Sequence, residues 1–240
     1  MEHRGLSGSS LKIIAMIAML IDHIGAAILA RVIIGTGNRE IYDSYMLLRM
    51  IGRISFPIFC FLLVEGFIHT SDKKKYALRL GIFALLSEIP FDLAFQSKVV
   101  GFEHQNVFFT LLLGFLAMMG EQYLEEIYPI RNTQVILMQL VVFGVCMGVA
   151  EFLKTDYGAV GVICIMLLYQ FRGKWYYPIL AGLPLVVSNW TAIFGYLLTL
   201  LYNGKKGLSL KYVFYLFYPI HLLLLYVICH LMGVAAISAV

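Results

Sequence analysis

Long apolar stretches, separated by short polar or Gly/Pro-containing breaks, run along almost the whole chain. A helix that crosses a bilayer needs about 20 mostly apolar residues. Cutting the chain at its breaks predicts about nine helical segments, with eight to ten as the range. The predicted segments are 11–31, 45–69, 76–97, 106–124, 133–153, 157–171, 175–187, 190–203 and 211–232. The seventh and eighth are short for a crossing, and the break at Ser188-Asn189 is weak. They therefore form two helices or one long or re-entrant element.

The composition excludes a water-soluble domain. Hydrophobic residues make up 61% of the 240 positions, charged residues make up 13%, and the mean hydropathy is +0.85. The breaks are too short to fold separately, so we expect one integral membrane domain over 1–240. The sequence predicts an all-α, polytopic transmembrane helix bundle. Its first apolar run is longer than the core of a secretory signal, about 7 to 15 residues, and is interpreted as a permanent helix.

The positions of the basic residues predict an orientation. Placing the N-terminus in the cytoplasm puts most of the 18 lysines and arginines on the cytoplasmic side, as the positive-inside rule requires. We therefore expect a multi-pass protein of the cell membrane. The net charge of +4 follows from these loop residues and does not indicate a nucleic-acid partner. The four cysteines lie inside apolar segments without CxxC spacing, so no metal site or disulfide framework is expected.

Ionisable residues lie at one depth in the first four segments. Asp22 and His23 are adjacent within the apolar run 11–34, and charged groups inside a membrane usually mark a functional site. At 1.5 Å per residue, His23 lies roughly 16 Å beyond Lys12, in the outer half of the membrane. The next three segments bring further polar residues to a similar height. These are Arg49, Arg53, Glu88, Asp92 and Asn106.

The residue types suggest roles for this group. His23 can exchange a proton near neutral pH, and the carboxylates can balance the arginines. Asp22 lies about 100° around the helix from His23, so we expect it to hold a neighbouring helix or arginine. His221, near the middle of the last segment, either joins the site or lines its approach. A purely structural role, in which arginine–carboxylate pairs join helices, is the alternative for the arginines and carboxylates.

Several stretches, in this order and spacing, resemble the TraX family, whose namesake acetylates the N-terminus of conjugative pilin. They are LKIIAMIAMLIDHIG (11–25), RMIGRISFPIFCFLLVEGFIHT (49–70), KKYALRLGIFALLSEIPFDLAF (74–95), NVFFTLLLG (106–114), DYGAVGV (156–162) and FYLFYPIHLLLL (214–225). The resemblance implies an integral membrane acyltransferase that uses acetyl-CoA as a co-substrate and holds no tightly bound cofactor. It does not identify the acceptor, which is a protein N-terminus or a small molecule or glycan.

The resemblance points to His23, Arg49, Arg53 and His221, and the chemistry of acyl transfer suggests roles for these residues and their neighbours. His23 is expected to act as a base or a transient acyl carrier, with His221 as the second family histidine. Arg49, Arg53 or Asn106 would polarise the acyl carbonyl, and Asp22, Glu88 or Asp92 would tune and hold these groups. Basic residues on the cytoplasmic side are expected to contact the CoA phosphates. These are Lys74, Lys75, Arg79, Lys205 and Lys206. Membrane lipid, an acyl-CoA donor and an acceptor are the expected partners.

Two other functions remain open at this point. A proton-coupled small-molecule transporter would use the same cluster, namely His23, Asp22, Arg53 and Glu88, with proline-broken helices. The absence of inverted halves in the sequence and the concentration of polar groups in the first four segments disfavour it. A non-enzymatic membrane assembly partner is the other alternative.

Overall fold

The computed structural model describes residues 5–130, 132–186, 189–209 and 211–239, and the break predicted at Ser188 lies partly outside them. Within the described residues the chain forms nine helical segments and no β-strand, which confirms the predicted all-α bundle. The segments are α1 (Gly8–Thr36), α2 (Tyr42–His69), α3 (73–96), α4 (Val107–Ile127), α5 (Thr133–Phe152), α6 (Gly158–Gln170), α7 (Tyr177–Val186), α8 (Ala192–Thr199) and α9 (Lys211–Leu231).

Five of these helices are long and apolar enough to cross a membrane, namely α1, α2, α4, α5 and α9. This supports the assignment as a membrane protein. Helices α7 and α8 have 10 and 8 residues, and at 1.5 Å per residue they span about 15 and 12 Å, against a hydrocarbon core of about 30 Å. Between the two alternatives left open by the sequence, the described residues therefore form two short helices. Gly195 of α8 lies directly against the Ile54 carbonyl and Pro57, where a side chain has no room.

The segment after α8 returns to the N-terminal end of α1. The amide of Leu6 donates to the Leu201 carbonyl at 2.7 Å, and the amide of Gly8 donates to the Lys205 carbonyl at 2.8 Å. The start of α1 and residues 200–209 thus lie together on the side predicted to be cytoplasmic. These contacts also satisfy amides at the beginning of α1 that have no partner within the helix.

Helices α1, α2 and α3 are each interrupted in their outer halves, by which we mean the halves away from the side predicted to be cytoplasmic. Helix α1 changes to a π-helix at Ile24–Leu29, and α3 does so at Asp92–Gln96. The π-turn of α3 begins two residues after Pro90, which lacks an amide hydrogen and disturbs the preceding turn. Helix α2 contains a turn at residues 53–54. Such interruptions release backbone carbonyls, which need hydrogen-bond donors from elsewhere when they lie in a membrane.

Arg31 supplies donors to several of these carbonyls. Its side chain is fully buried and donates to the carbonyls of Ala27 (2.9 Å), Leu93 (3.2 Å), Ala94 and Ile237 (2.6 Å). These acceptors belong to the π-helix of α1, the π-helix of α3 and the C-terminal segment. One guanidinium group therefore joins three parts of the chain around the interrupted helices.

Helices α1 and α2 approach each other closely through glycine. Gly52 lies directly against the side chain of Asp22, so that any side chain at position 52 would overlap it. A methyl group on Gly25 would lie 3.1 Å from the Leu48 Cβ. The spacing of α1 and α2 therefore depends on glycine, which has no side chain, at positions 25 and 52. The position of Asp22 depends on the same spacing.

We predict that Arg31→Met lowers the thermal stability of the purified protein substantially. Several buried carbonyls would lose their donor, and each unsatisfied group costs about 1–3 kcal/mol. Arg39→Met, in the exposed loop before α2, is the matched control and should melt like the wild type. Equal melting temperatures for the two variants, measured in the same detergent, would contradict the proposed joining role of Arg31.

We also predict that Gly52→Ala destabilises the protein, because the added methyl group displaces Asp22; overpacking of this kind costs about 1–3 kcal/mol. Gly144→Ala in α5 is the control, since no atom lies within 4 Å of the added Cβ. Thermal melting distinguishes the two variants. The packing argument fails if Gly144→Ala is destabilised as much as Gly52→Ala.

Candidate functional site

A cavity of ≈ 320 Å³ lies in the outer half of the bundle, where α1, α2, α3 and α9 surround it. Four of the residues that the sequence placed at one depth line it. They are Asp22, His23, Arg49 and Arg53. Aromatic side chains form much of the remaining wall, among them Phe91 and Phe95 of α3 and Tyr218 of α9. We call it the outer cavity.

His23 forms a hydrogen-bonded pair with His221 of α9, 198 residues away in the sequence. The Nδ1 of His23 lies 2.7 Å from the Nε2 of His221, and the Nδ1 of His221 lies 2.7 Å from the Phe217 carbonyl. The two imidazole planes are within 8° of parallel, with centroids 5.0 Å apart, as expected for an edge-to-edge hydrogen bond between rings. His221 is therefore part of the candidate site.

The hydrogen bond between His221 and the Phe217 carbonyl determines the tautomers of both neutral histidines. A carbonyl only accepts, so the neutral His221 must carry its proton on Nδ1 and leave Nε2 as an acceptor. The partner nitrogen, Nδ1 of His23, must then donate. In a neutral His23 this leaves Nε2 without a proton, and Nε2 has no hydrogen-bond partner among the described residues. His23 lines the outer cavity and, in its neutral form, has one unprotonated ring nitrogen.

Asp22 pairs with Arg49 and does not contact His23 through a hydrogen bond. The Nη1 of Arg49 lies 2.5 Å from the Oδ2 of Asp22, while Oδ1 is buried without a partner among the described residues. This agrees with the expectation that Asp22 holds an arginine of the neighbouring helix. The ion pair links α1 to α2 directly beside His23.

Asp156 and Tyr157, from the loop before α6, were not identified as site residues from the sequence. Both line the outer cavity, and Arg53 has Asp22 and Asp156 as its nearby carboxylates. Withdrawal from bulk water raises the pKa of the Asp156 carboxyl group, while the guanidinium groups of Arg53 and Arg49 oppose the shift. The stretch DYGAVGV was the available signal, but residues in a loop have no helical periodicity that predicts their direction. His104 is a further lining residue.

Glu88, Asp92 and Asn106 do not line the outer cavity. Asn106 is the N-cap of α4, is fully buried and donates to Glu88. Asp92 accepts the Gly101 amide at 2.6 Å. These residues hold the connection between α3 and α4, and the carboxylates next to the arginines are Asp22 and Asp156 instead. Phe91 and Phe95 occupy the side of α3 that faces the cavity.

The basic residues expected to contact CoA phosphates lie at the other end of the bundle. Lys74, Lys75 and Arg79 are in the first turns of α3, where Lys75 pairs with Asp72 at 3.1 Å. Lys205 and Lys206 lie in the segment beside the start of α1. None of the five lines the outer cavity. At 1.5 Å per residue, Lys75 and Phe95 are separated by about 30 Å along α3.

Comparison with known proteins gives a match over most of the chain. The family model described as TraX protein matches residues 7–229, a range that contains every residue lining the outer cavity except Ala239. A probable fimbrial assembly protein FimC, serogroup H1, from Dichelobacter nodosus is 30% identical over 254 residues, which cover 91% of this chain and 94% of that protein. No solved structure gives a significant match.

The family match and the relative's coverage agree with the motifs around His23, Arg49, Arg53 and His221. The chain belongs to the TraX family.

Proposed function

We propose that the protein is an integral membrane acyltransferase that moves an acetyl group from acetyl-CoA to an amine or hydroxyl acceptor. The observation that carries the proposal is the hydrogen-bonded His23–His221 pair, which leaves the Nε2 of a neutral His23 unprotonated in a cavity that two guanidinium groups also line. A base and a set of cationic hydrogen-bond donors are the two components that acyl transfer requires. The Asp22–Arg49 ion pair keeps one of these donors in place.

In direct transfer, a lone pair of the acceptor amine or hydroxyl attacks the thioester carbonyl. The Nε2 of His23 takes the acceptor's proton in the same step. Arg49 or Arg53 stabilises the oxyanion that forms. When the intermediate collapses, the carbon–sulfur bond breaks and the imidazolium returns the proton to the CoA thiolate. In the other route, Nε2 itself attacks the thioester, the carbon–sulfur bond breaks and CoA leaves as the thiolate. The acceptor then attacks the acetyl group on Nε2, the carbon–nitrogen bond to His23 breaks, and the acceptor proton passes to the thiolate. Both routes begin from the same unprotonated nitrogen.

His221 is a positioning residue in this proposal. By accepting from the Nδ1 of His23 it keeps that proton away from Nε2, and its own Nδ1 is held by the Phe217 carbonyl. The arrangement has the logic of a catalytic triad, in which a third group orients the base. Here a second imidazole takes the place of a carboxylate.

The acceptor we favour is the N-terminal amine of a fimbrial or pilus subunit. The relative from Dichelobacter nodosus is named as a probable fimbrial assembly protein, and the resemblance to the TraX family implies a link to pilin. On the donor side, acetyl-CoA would approach from the cytoplasm. Lys74, Lys75, Arg79, Lys205 and Lys206 provide a basic surface there that attracts its phosphates.

We predict that His23→Gln lowers the rate of CoA release from acetyl-CoA, in the presence of an acceptor peptide, by at least about 10²-fold, as loss of a general base does. CoA release is measured as free thiol with the purified protein in lipid. His230→Gln, on the exposed side of α9, is the matched control and should retain activity. Wild-type protein that moves a solute without releasing CoA would indicate the transporter instead. Neither activity, from folded protein, would indicate an assembly partner.

We predict that His221→Phe lowers kcat by about tenfold to hundredfold and leaves the KM for acetyl-CoA unchanged, because the tautomer of His23 is no longer fixed. His221→Gln should recover part of the rate, since its amide can both accept from His23 and donate to Phe217. A purely structural role would instead lower the melting temperature of both variants and give no recovery with Gln.

A further inference from the structure

A second cavity, of ≈ 380 Å³, opens at the opposite end of the bundle between α2, α6, α7, α8 and the segment after α8. Tyr202 and Gly204 form part of its wall, and Tyr202 pairs with Leu6 near the start of the chain. The cavity therefore lies on the side predicted to be cytoplasmic. We call it the inner cavity.

Aromatic side chains form one wall of the inner cavity. Phe61 is stacked with Tyr177, with centroids 6.1 Å apart and planes at 14°, and it contacts Tyr202 edge-on at 5.3 Å. The hydroxyl of Tyr177 is held by Thr199 at 2.8 Å. A wall of ordered aromatic rings suits a planar heteroaromatic base, which stacks on such surfaces.

Arg172 supplies the charge of the inner cavity. Its Nε donates to Glu65 at 2.6 Å, and Glu65 is buried at the end of α2. The two Nη groups have no partner among the described residues, and 41% of the side chain is exposed. The ion pair thus fixes the guanidinium while leaving its outer edge available, which is the geometry that binds phosphate through two parallel hydrogen bonds.

Tyr196 of α8 has neighbours from both cavities, since it lies one turn from Thr199 of the inner cavity and close to Tyr157 of the outer cavity. It is fully buried, and its hydroxyl lies beside the Cys164 thiol, a weak hydrogen-bond partner. Glu65 and Phe56 of α2, which line the inner and outer cavity respectively, are separated by about 13 Å along the helix. A buried hydroxyl whose partner is a weakly hydrogen-bonding thiol can take a stronger partner from the amide groups of a ligand.

We propose that the inner cavity binds the phosphorylated adenosine end of the acyl-CoA donor, with phosphate on Arg172 and the adenine against the aromatic wall. The pantetheine arm, a thin chain with two amide groups, then runs along α2 past Tyr196 and brings the thioester to His23. This inference rests on the proposed acetyl transfer. It adds Arg172 to the surface lysines as the group that gives the donor its position.

The test is isothermal titration of the purified full chain with CoA and with adenosine 3′,5′-bisphosphate. We expect Arg172→Gln to weaken both ligands by about tenfold or more, because a two-pronged, charge-assisted contact is lost. Lys174→Gln removes the same charge two residues away, outside the cavity lining, and should bind like the wild type. Equal affinities for Arg172→Gln and Lys174→Gln would overturn the proposal.

A second variant controls for misfolding as a cause of lost binding, since Arg172→Gln leaves Glu65 without its arginine partner. Arg172→Lys keeps the ion pair with Glu65 but has no planar fork, so it should remain folded and still bind adenosine 3′,5′-bisphosphate more weakly. An anionic lipid is the other source of phosphate. Binding of phosphatidylglycerol that is lost in Arg172→Gln, together with unchanged CoA affinity, would contradict the nucleotide assignment.

Turnover separates this inference from the proposed function. The inference predicts that Arg172→Gln raises the KM for acetyl-CoA with little change in kcat. If the wild type transfers acetyl groups and the KM is unchanged in Arg172→Gln, the inner cavity is not the donor site and the proposed function stands. If the wild type neither binds nor consumes acetyl-CoA, both fail.

Discussion

The interrupted helices of this bundle depend on the guanidinium group of Arg31. A π-turn in α1 and another in α3 release backbone carbonyls inside the bundle, where each carbonyl needs a hydrogen-bond donor. Arg31 donates to carbonyls from both turns and to the C-terminal segment, and it pairs with no carboxylate among the described residues. A neutral side chain has too few donors for this purpose, and lysine lacks the planar arrangement.

The histidine pair follows from this closure of the bundle. His23 belongs to the last turn of α1 before its π-helix, and His221 comes from α9, so the two rings meet only when the first and last helices lie side by side. On the opposite side, Gly52 lets α2 approach Asp22, and the resulting ion pair brings Arg49 close to His23. Two unrelated packing contacts thus determine where the base and the cation lie.

Most helices of the bundle could be predicted from the sequence, because many apolar segments between the breaks are about as long as a membrane-crossing helix. The grouping of His23, Asp22, Arg49 and Arg53 was also accessible, since helical rise converts sequence position into depth. The depth of a residue does not determine which side of its helix it occupies. Glu88 and Asp92 were therefore predicted at the depth of the site, but they face the α3–α4 connection. Asp156 and Tyr157 lie in a loop, where no helical periodicity predicts the direction of a side chain.

The short pair α7 and α8 shows a second limit of the sequence. Its residues are as apolar as those of a crossing helix, so hydropathy alone cannot distinguish a crossing from a short hairpin. The close contact of Gly195 with α2 is a tertiary feature that no local pattern encodes. The same holds for the ion pair of Arg172 with Glu65, which joins residues 107 positions apart.

The most direct test of the central claim is nitrogen NMR of protein labelled with ¹⁵N-histidine, reconstituted in lipid at neutral pH. Among the signals of the six histidines, those of His23 and His221 are identified by their loss in the His23→Gln and His221→Gln variants. We predict that His23 is neutral with its proton on Nδ1 and a bare Nε2, and that a coupling is seen across the hydrogen bond to the Nε2 of His221. A proton on the Nε2 of His23, whether in the other tautomer or in an imidazolium, would contradict its assignment as the base.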